Sequence, residues 1–162
     1  MSGAVAILAF VTLQRLGELL IARRNTSALL ARGAHEVAPG HYPLIVAVHT
    51  LWLSALWWLA PAQPVSWPLI GLFLILQAAR LWVLATLGER WTTRIIVLPG
   101  APLVAGGPFR FVRHPNYLVV VGEIALLPLA FALWEVALIF SLLNAGVLAI
   151  RIKAEEAALG LP

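Results

Sequence analysis

The chain has no cysteine and no aspartate, and only one of its eleven basic residues is a lysine. Without cysteine it can form no disulfide bond, no thiolate metal site and no cysteine nucleophile. Acidic residues are few, since all seven are glutamates, and charged residues of both signs make up only 11% of the sequence. In a typical water-soluble domain about a quarter of all residues are charged, so this composition argues against a water-soluble domain.

Hydrophobic residues are abundant instead, at 62% of the chain, against about half in a typical soluble domain. The sequence therefore predicts an integral membrane protein with a single domain over residues 1–162, because no length remains for a separate soluble domain. The net charge of +4 could indicate nucleic-acid binding. We expect no nucleic-acid partner, since the arginines flank apolar stretches, where they orient a membrane protein or contact lipid head groups of the bilayer.

Five apolar segments follow one another, at residues 3–22, 42–60, 67–87, 116–132 and 134–152. About 20 apolar residues cross a bilayer as a helix, and a helix satisfies its own backbone polar groups in lipid. The sequence predicts an all-α membrane protein with five transmembrane helices, the last two joined by a tight turn into a C-terminal helix hairpin. The predicted layout is three spans in 1–87, an interfacial cytoplasmic segment in 88–115, and the hairpin and tail in 116–162.

The arginines are distributed unevenly over the predicted connections. Basic residues follow the first, third and fifth segments, whereas the connection 61–66 carries no charge. The positive-inside rule then places the N-terminus outside and the C-terminus in the cytoplasm, and we expect the protein in a bacterial inner membrane. Merging the last two segments into one span would place Arg151 outside and break this pattern.

Two polar stretches flank the predicted hairpin, and the topology brings them to the same membrane face. Residues 107–118 read GPFRFVRHPNYL, and residues 151–156 read RIKAEE. Pro115 suits the first turn of the following helix and keeps the residue before it out of the α conformation. The free amides of that helix end can bind an anion such as a carboxylate. Taken alone, this stretch is explained equally well as a basic strip that fixes topology.

Arg151 and Glu155 are four residues apart and share one helix face, whereas Glu156 is expected to point elsewhere. Taken alone, they are an ordinary exposed ion pair at the end of a helix, which contributes little.

Together the two stretches resemble the isoprenylcysteine carboxyl methyltransferase family. The order Gly-Pro-Phe-Arg, Arg-His-Pro-Asn-Tyr, helix hairpin, Arg-Ile-x-x-Glu-Glu extends over residues 106–159. The resemblance implies a membrane enzyme with a cytoplasmic pocket for S-adenosylmethionine, which releases S-adenosylhomocysteine, and a lipophilic substrate that arrives through the bilayer. The cofactor-binding residues that it implies are Arg113, His114, Asn116, Tyr117, Leu118 and Glu155.

Methyl transfer from a sulfonium requires alignment more than a strong base, because the cofactor is already activated. A carboxylate or acidic enol as acceptor is largely ionised, so an arginine that positions its oxygen suffices. Arg94, Arg151 and Glu155 are the catalytic candidates, with Arg151 either ordering Glu155 or holding an anionic substrate. Residues 14–19 and 91–104 narrow the resemblance to a bacterial branch similar to alkylpyrone and polyketide O-methyltransferases.

Four charged residues, Arg15, Glu18, Arg80 and Glu123, lie away from the ends of the predicted spans, and their charges balance to zero. Buried charges in lipid usually pair inside the bundle, so we expect Glu123 to meet Arg15 or Arg80. The group is either a structural network or part of the substrate pocket. The candidate substrate-binding residues are Arg15, Glu18, Arg80, Glu123 and the interfacial Trp91.

No metal site is predicted. His35, Glu36 and His41 lack the spacing of a zinc motif, and Pro39 and Gly40 break any helix between them. Three other functions stay open: an N-methyltransferase acting on phospholipid amines, a non-catalytic membrane carrier or assembly protein, and a membrane reductase that uses a nicotinamide cofactor.

Overall fold

The computed structural model describes residues 2–160 of the chain. Within them lie five α-helices, namely α1 (Gly3–Ala31), α2 (Tyr42–Leu59), α3 (Trp67–Leu87), α4 (Pro115–Ala130) and α5 (Trp134–Leu159). Short 3-10 helices cover Pro39–His41, Ala60–Ala62, Gly88–Arg90 and Gly107–Arg110. Two strands of two residues each, β1 (His35–Glu36) and β2 (Ile96–Val97), pair antiparallel and join the α1–α2 connection to the α3–α4 connection. The predicted all-helical architecture is confirmed.

Four helical stretches of the described chain are long and apolar enough to cross a membrane: Gly3–Ala31, Pro39–Ala62, Trp67–Arg90 and Trp134–Leu159. Large apolar side chains on these helices face outward, such as Leu20 at 68%, Ile75 at 65% and Leu142 at 67% exposure. In a soluble protein such a surface would drive association, whereas in lipid it has no cost. The chain is therefore an integral membrane protein.

Helix α4 is apolar but has only 16 residues, which is about 24 Å of helix against a hydrocarbon core of about 30 Å. It packs between α3 and α5. Gly122 permits the close approach to α3, since a Cβ at this position would lie 2.7 Å from a methyl carbon of Leu76.

Helix α1 continues well beyond its apolar segment, which ends at Ala22. The charged residues that follow are good helix formers, and the helix ends only at Ala31, where Gly33 adopts a φ of 89°. This extension carries Asn25 to the α3–α4 connection, where its side-chain amide donates to the backbone carbonyls of Gly88 and Trp91 at 3.0 and 2.9 Å.

The turn between α4 and α5 is as tight as the sequence predicts. Ala132 adopts a left-handed conformation with a φ of 57°. Its amide donates to the Leu129 carbonyl and the Leu133 amide donates to the Pro128 carbonyl, each at 3.0 Å. This is the hydrogen-bond pattern of a Schellman motif, with alanine in the position that glycine usually occupies.

The main apolar core lies at the end of the bundle that contains this turn. It joins the first turns of α1 and α3 to the last turns of α2 and α4, and its most buried side chains include Leu8, Leu56, Phe73, Leu127 and Phe131. Because apolar packing fills this end, the polar side chains gather in the middle and at the opposite end of the bundle.

Candidate active site

The two polar stretches of the sequence meet where α4 begins and α5 ends, as predicted. Arg151 Nε donates to the Tyr117 hydroxyl at 2.7 Å, and that hydroxyl donates to Glu155 Oε2. The Arg151 guanidinium also lies 5.6 Å from the centre of the Tyr117 ring. Since Arg151 is 8% exposed and Tyr117 9%, this chain of hydrogen bonds is largely shielded from solvent and holds both side chains in one orientation.

His114 lies beside this chain and contacts both glutamates. Its ring stacks on Tyr117 at 5.2 Å between centroids, its Nδ1 is 3.9 Å from Glu155 Oε2, and its Nε2 is 3.3 Å from Glu156 Oε1. The expectation that Glu156 points elsewhere is therefore wrong. Consecutive helical residues differ by 100° in direction, but an imidazole with nitrogens on two edges fits between two such side chains.

Arg94 lies at the rim and has a carboxylate partner of its own. Its Nη1 is 2.9 Å from both carboxylate oxygens of Glu36, and its guanidinium covers the Tyr42 ring at 4.4 Å. The neighbouring Thr93 contacts the Tyr42 hydroxyl through Oγ1 at 3.2 Å and accepts from Arg151 Nη1 through its carbonyl at 3.0 Å. These contacts, together with the β1–β2 pair, hold segment 91–97 against the end of the bundle where α4 begins and α5 ends.

Two cavities adjoin at this site. The smaller, of about 140 Å³, lies at the end of the bundle between segment 91–97 and the polar stretches, and its walls include Arg94, His114 and Glu155. The larger, of about 410 Å³, extends into the membrane-spanning part of the bundle. Both are lined by Trp91, Thr92, Asn116, Tyr117 and Arg151.

Two polar atoms at this shared boundary lack a hydrogen-bond partner within residues 2–160. They are Oδ1 of Asn116 and the indole Nε1 of the buried Trp91. Both atoms are therefore free to contact a bound molecule, and the binding roles of Asn116 and Trp91 stay predictions.

Two of the predicted cofactor-binding residues lie elsewhere. Leu118 is 60% exposed and Arg113 is also exposed, and neither lines one of the two cavities. Tyr117 and Leu118 are adjacent on α4, so when the first faces the bundle the second turns away from it. The exposed Leu118 contributes to the outer surface of α4.

The intramembrane charges form one connected network, and Glu123 meets both of its predicted partners. Arg15 Nη2 donates to Glu123 Oε2 at 2.6 Å, and Arg80 donates to both Glu123 oxygens, through Nε at 2.9 Å and through Nη2. Glu18 accepts from Arg15 at 2.9 Å and from Arg80 at 3.3 Å. With two arginines and two glutamates the network is neutral, as lipid surroundings require.

Two glutamines complete the network, and sequence reasoning missed both. Gln77 Nε2 donates to Glu123 at 2.7 Å, and Gln14 Nε2 donates to Gln77 and Glu18 at 2.7 and 3.0 Å. The sequence feature that could have identified both glutamines is an amide side chain inside an apolar span, close to a charged residue at helical spacing.

His49 and Asn144 line the larger cavity, and sequence reasoning gave neither a site role. His49 Nδ1 lies 2.9 Å from the Ile45 carbonyl. Asn144 is 2% exposed, and within the described part of the chain its Nδ2 has no partner. A single amide in an otherwise apolar span was the signal that would have singled out Asn144.

Comparison with known proteins agrees with the earlier resemblance. The family model described as "Isoprenylcysteine carboxyl methyltransferase (ICMT) family" matches residues 69–160. The chain is 39% identical over 158 residues to the uncharacterized protein YpbQ of Bacillus subtilis (strain 168), covering 94% of each chain. It is 31% identical over 151 residues to an uncharacterized protein of Haemophilus influenzae, covering 90% of this chain and 88% of the relative. No solved structure matches significantly.

Proposed function

Since the chain belongs to the isoprenylcysteine carboxyl methyltransferase (ICMT) family, and is thus a membrane protein of a methyltransferase family, we propose that it transfers a methyl group from S-adenosylmethionine to an oxygen of a lipophilic small molecule. The acceptor is a carboxylate or an acidic enol. The observation that carries the proposal is the polar group of Arg151, Tyr117, Glu155 and His114, set between a small polar cavity and a larger apolar one.

The donor set around the smaller cavity fits S-adenosylmethionine. That cofactor offers an ammonium group and two ribose hydroxyls as donors, a carboxylate as acceptor, and a positively charged sulfonium. Glu155 can accept from the donors, as can the unpartnered Oδ1 of Asn116, and the Trp91 indole N–H can donate. The Glu155 carboxylate also complements the positive charges of the cofactor. These residues of the chain would hold the cofactor when it binds.

The lining of the larger cavity supports a lipophilic substrate. Apolar side chains of α1 and α2 form much of it, among them Leu16, Leu19 and Val46, which are 53%, 40% and 44% exposed. A cavity bordered by exposed apolar residues on two neighbouring helices can admit an alkyl chain sideways from the bilayer. Ligand pockets of this kind are mostly apolar with a few placed polar groups.

The residues at the boundary of the two cavities position the reacting oxygen. S-adenosylmethionine supplies an activated methyl group, so the protein contributes alignment and the exclusion of water. Arg151 is fixed by the Tyr117 hydroxyl and the Thr93 carbonyl, and a guanidinium held at this boundary can bind an anionic oxygen of the acceptor. Arg94, whose charge is neutralised by Glu36, holds segment 91–97 in place, and this segment covers the smaller cavity.

The proposed topology has five spans and a cytoplasmic cofactor site in a bacterial inner membrane. The Ser66 amide, before α3, donates to the Ala130 carbonyl at the end of α4 at 2.8 Å. The start of α3 and the end of α4 therefore lie at the same end of the bundle. This contact supports a full crossing by α4 despite its short length.

Calorimetry in detergent with S-adenosylhomocysteine tests the cofactor assignment. We expect Glu155→Ala and His114→Ala to weaken binding at least about tenfold, since each removes a charged or ring contact of the site. Glu135→Ala is the matched control, because Glu135 is an exposed glutamate in the first turn of the same helix. Unchanged affinity in both site variants would remove the assignment.

Product analysis tests the acceptor. Protein-containing membranes are incubated with S-adenosylmethionine carrying an isotopically labelled methyl group, and the lipid extract is examined by mass spectrometry. A labelled methyl ester or ether supports the proposal. A labelled N-methyl head group would identify the phospholipid N-methyltransferase instead.

A further inference from the structure

The short 3-10 helix Gly107–Arg110 lies against the last turn of α3, and a glycine permits this contact. Gly107 has a φ of 55°, and a Cβ at this position would clash with Oγ1 of Thr86. Pro108 is buried, and Phe109 packs against a buried apolar cluster that includes side chains of α1 and α3. The 3-10 helix is therefore fixed on α3, and the residues at its end have a defined position.

An exposed aromatic pair follows directly. The ring centroid of Phe111 is 6.4 Å from that of Trp82 on α3, and the two side chains are 66% and 50% exposed. Trp82 precedes the end of α3 at Leu87 by about 7.5 Å of helix, and tryptophan near the end of a span typically lies at the level of the lipid head groups. Leu103 and Val112 of the same connection are also exposed, so this surface suits contact with lipid better than contact with water.

An arginine without a carboxylate partner lies on this aromatic pair. The Arg110 side chain is exposed, and its guanidinium carbon is 4.7 Å from the centre of the Phe111 ring. Among residues 2–160, no glutamate lies within ion-pair distance of it. The ring contacts the guanidinium through its face, so the N–H groups at the edge stay available to an oxyanion.

From this geometry we infer that Arg110, Phe111 and Trp82 form a binding site for the head group of an anionic phospholipid. The guanidinium donates to two phosphate oxygens, which its planar fork suits, and the acyl chains lie along the two aromatic rings. The cation of a zwitterionic head group finds no carboxylate in this connection, because residues 98–113 contain two arginines but no acidic residue. None of the three residues lines either cavity, so the site is separate from that of the proposed reaction.

A comparison of two lipids in detergent tests the site. The protein is labelled with a dye through Glu135→Cys, and thermophoresis gives its affinities for phosphatidylglycerol and for phosphatidylcholine with the same acyl chains. The wild-type sequence at the site should bind phosphatidylglycerol at least about fivefold tighter, the difference expected for one basic residue at a membrane surface. The preference should fall as the salt concentration rises. Inorganic phosphate in excess should not displace the lipid, because the aromatic pair also binds its acyl chains.

Variants locate the preference at Arg110. Arg110→Gln removes the charge, so the ratio of the two affinities should fall below about twofold. Phe111→Leu keeps an apolar side chain but removes the ring under the guanidinium, and it should weaken phosphatidylglycerol binding about two- to fivefold. Arg24→Gln is the matched control, since Arg24 is an exposed arginine of the α1 extension, and it should keep the preference.

Equal affinity of the unsubstituted site for the two lipids would overturn the inference, as would displacement of the lipid by inorganic phosphate. An equal loss of preference in Arg24→Gln and Arg110→Gln would also overturn it, because only the net charge would then matter. Calorimetry with S-adenosylhomocysteine on the same preparations should give an unchanged affinity for Arg110→Gln. A loss there would place Arg110 in the cofactor site and overturn the lipid assignment. An unsubstituted protein that fails to bind S-adenosylhomocysteine but prefers phosphatidylglycerol would overturn the proposed function alone.

Discussion

Glu123 is the side chain on which the intramembrane network converges. It is 1% exposed and accepts hydrogen bonds from Arg15, Gln77 and Arg80. Replacing one member of a buried ion network leaves the remaining charges uncompensated, which costs more than the pair itself contributes. The network joins α1, α3 and α4 below the site, so it fixes these three helices relative to each other.

Glu123→Gln should lower the free energy of unfolding by about 3–5 kcal/mol, because two arginines would then face a single glutamate. Thermal unfolding in detergent measures this, and the affinity for S-adenosylhomocysteine should stay unchanged. Adding Arg15→Gln restores neutrality and should recover part of the loss. Glu89→Gln is the control, since the Glu89–Arg32 pair is exposed and contributes little. If Glu123→Gln kept full stability but raised the KM for the lipophilic substrate, Glu123 would be part of the substrate pocket rather than a residue that fixes the packing of the helices.

Tyr117→Phe should lower the affinity for S-adenosylhomocysteine about tenfold, since one hydrogen bond to a charged group contributes about 1.5–3 kcal/mol. Without the hydroxyl, Arg151 loses an acceptor and can collapse onto Glu155, which takes that carboxylate away from the cofactor. Tyr42→Phe is the matched comparison, because the Tyr42 hydroxyl contacts only a threonine among the described residues. Calorimetry that gave equal losses in both variants would contradict a specific role for Tyr117.

At the scale of elements, α4 contains a proline near its end that a neighbouring helix compensates. Pro128 has no amide hydrogen, so the Ile124 carbonyl one turn earlier has no backbone N–H to accept from. Trp52 on α2 donates its indole N–H to this carbonyl at 3.2 Å, and Trp52 is 2% exposed. An indole therefore replaces the missing backbone donor and ties α2 to α4.

A double-mutant cycle measures this compensation. Trp52→Phe should destabilise the protein through lost volume and through the unsatisfied carbonyl. In a Pro128→Ala background, the restored backbone amide satisfies Ile124, so the same substitution should cost about 1 kcal/mol less. Unfolding of the four proteins in one detergent gives the coupling energy. A coupling of zero would show that Trp52 contributes to stability through its packing alone.

At the scale of the molecule, the sequence was sufficient to predict those features of the structure that depend on a single physical constraint. Apolar length located the helices, and the neutrality of buried charge paired Glu123 with arginines. The predicted topology placed the stretch before α4 and the stretch at the end of α5 together, although it did not predict the Arg151–Tyr117 hydrogen bond. The sequence failed where a contact depends on how two distant elements approach each other. Glu36 with Arg94, Glu156 with His114 and the β1–β2 pair all depend on loop paths, which periodicity does not determine.

The last prediction concerns the side of the membrane on which each end of the bundle lies. Cysteine labelling measures it directly, because the chain has no cysteine of its own and each introduced thiol is the only one present. The Ser66–Ala130 hydrogen bond places the start of α3 and the end of α4 together, while the Thr93–Arg151 hydrogen bond marks the other end. Exposed positions are available at both ends. With five spans, Gln63→Cys and Glu135→Cys should react with an impermeant maleimide in intact cells. Glu89→Cys and Lys153→Cys should react only after permeabilisation, because arginines flank that end. If Glu135→Cys reacted only after permeabilisation, as Glu89→Cys does, while Lys153→Cys reacted in intact cells, α4 would not cross the membrane, and the polar stretches before α4 and at the end of α5 could not share the cytoplasmic face.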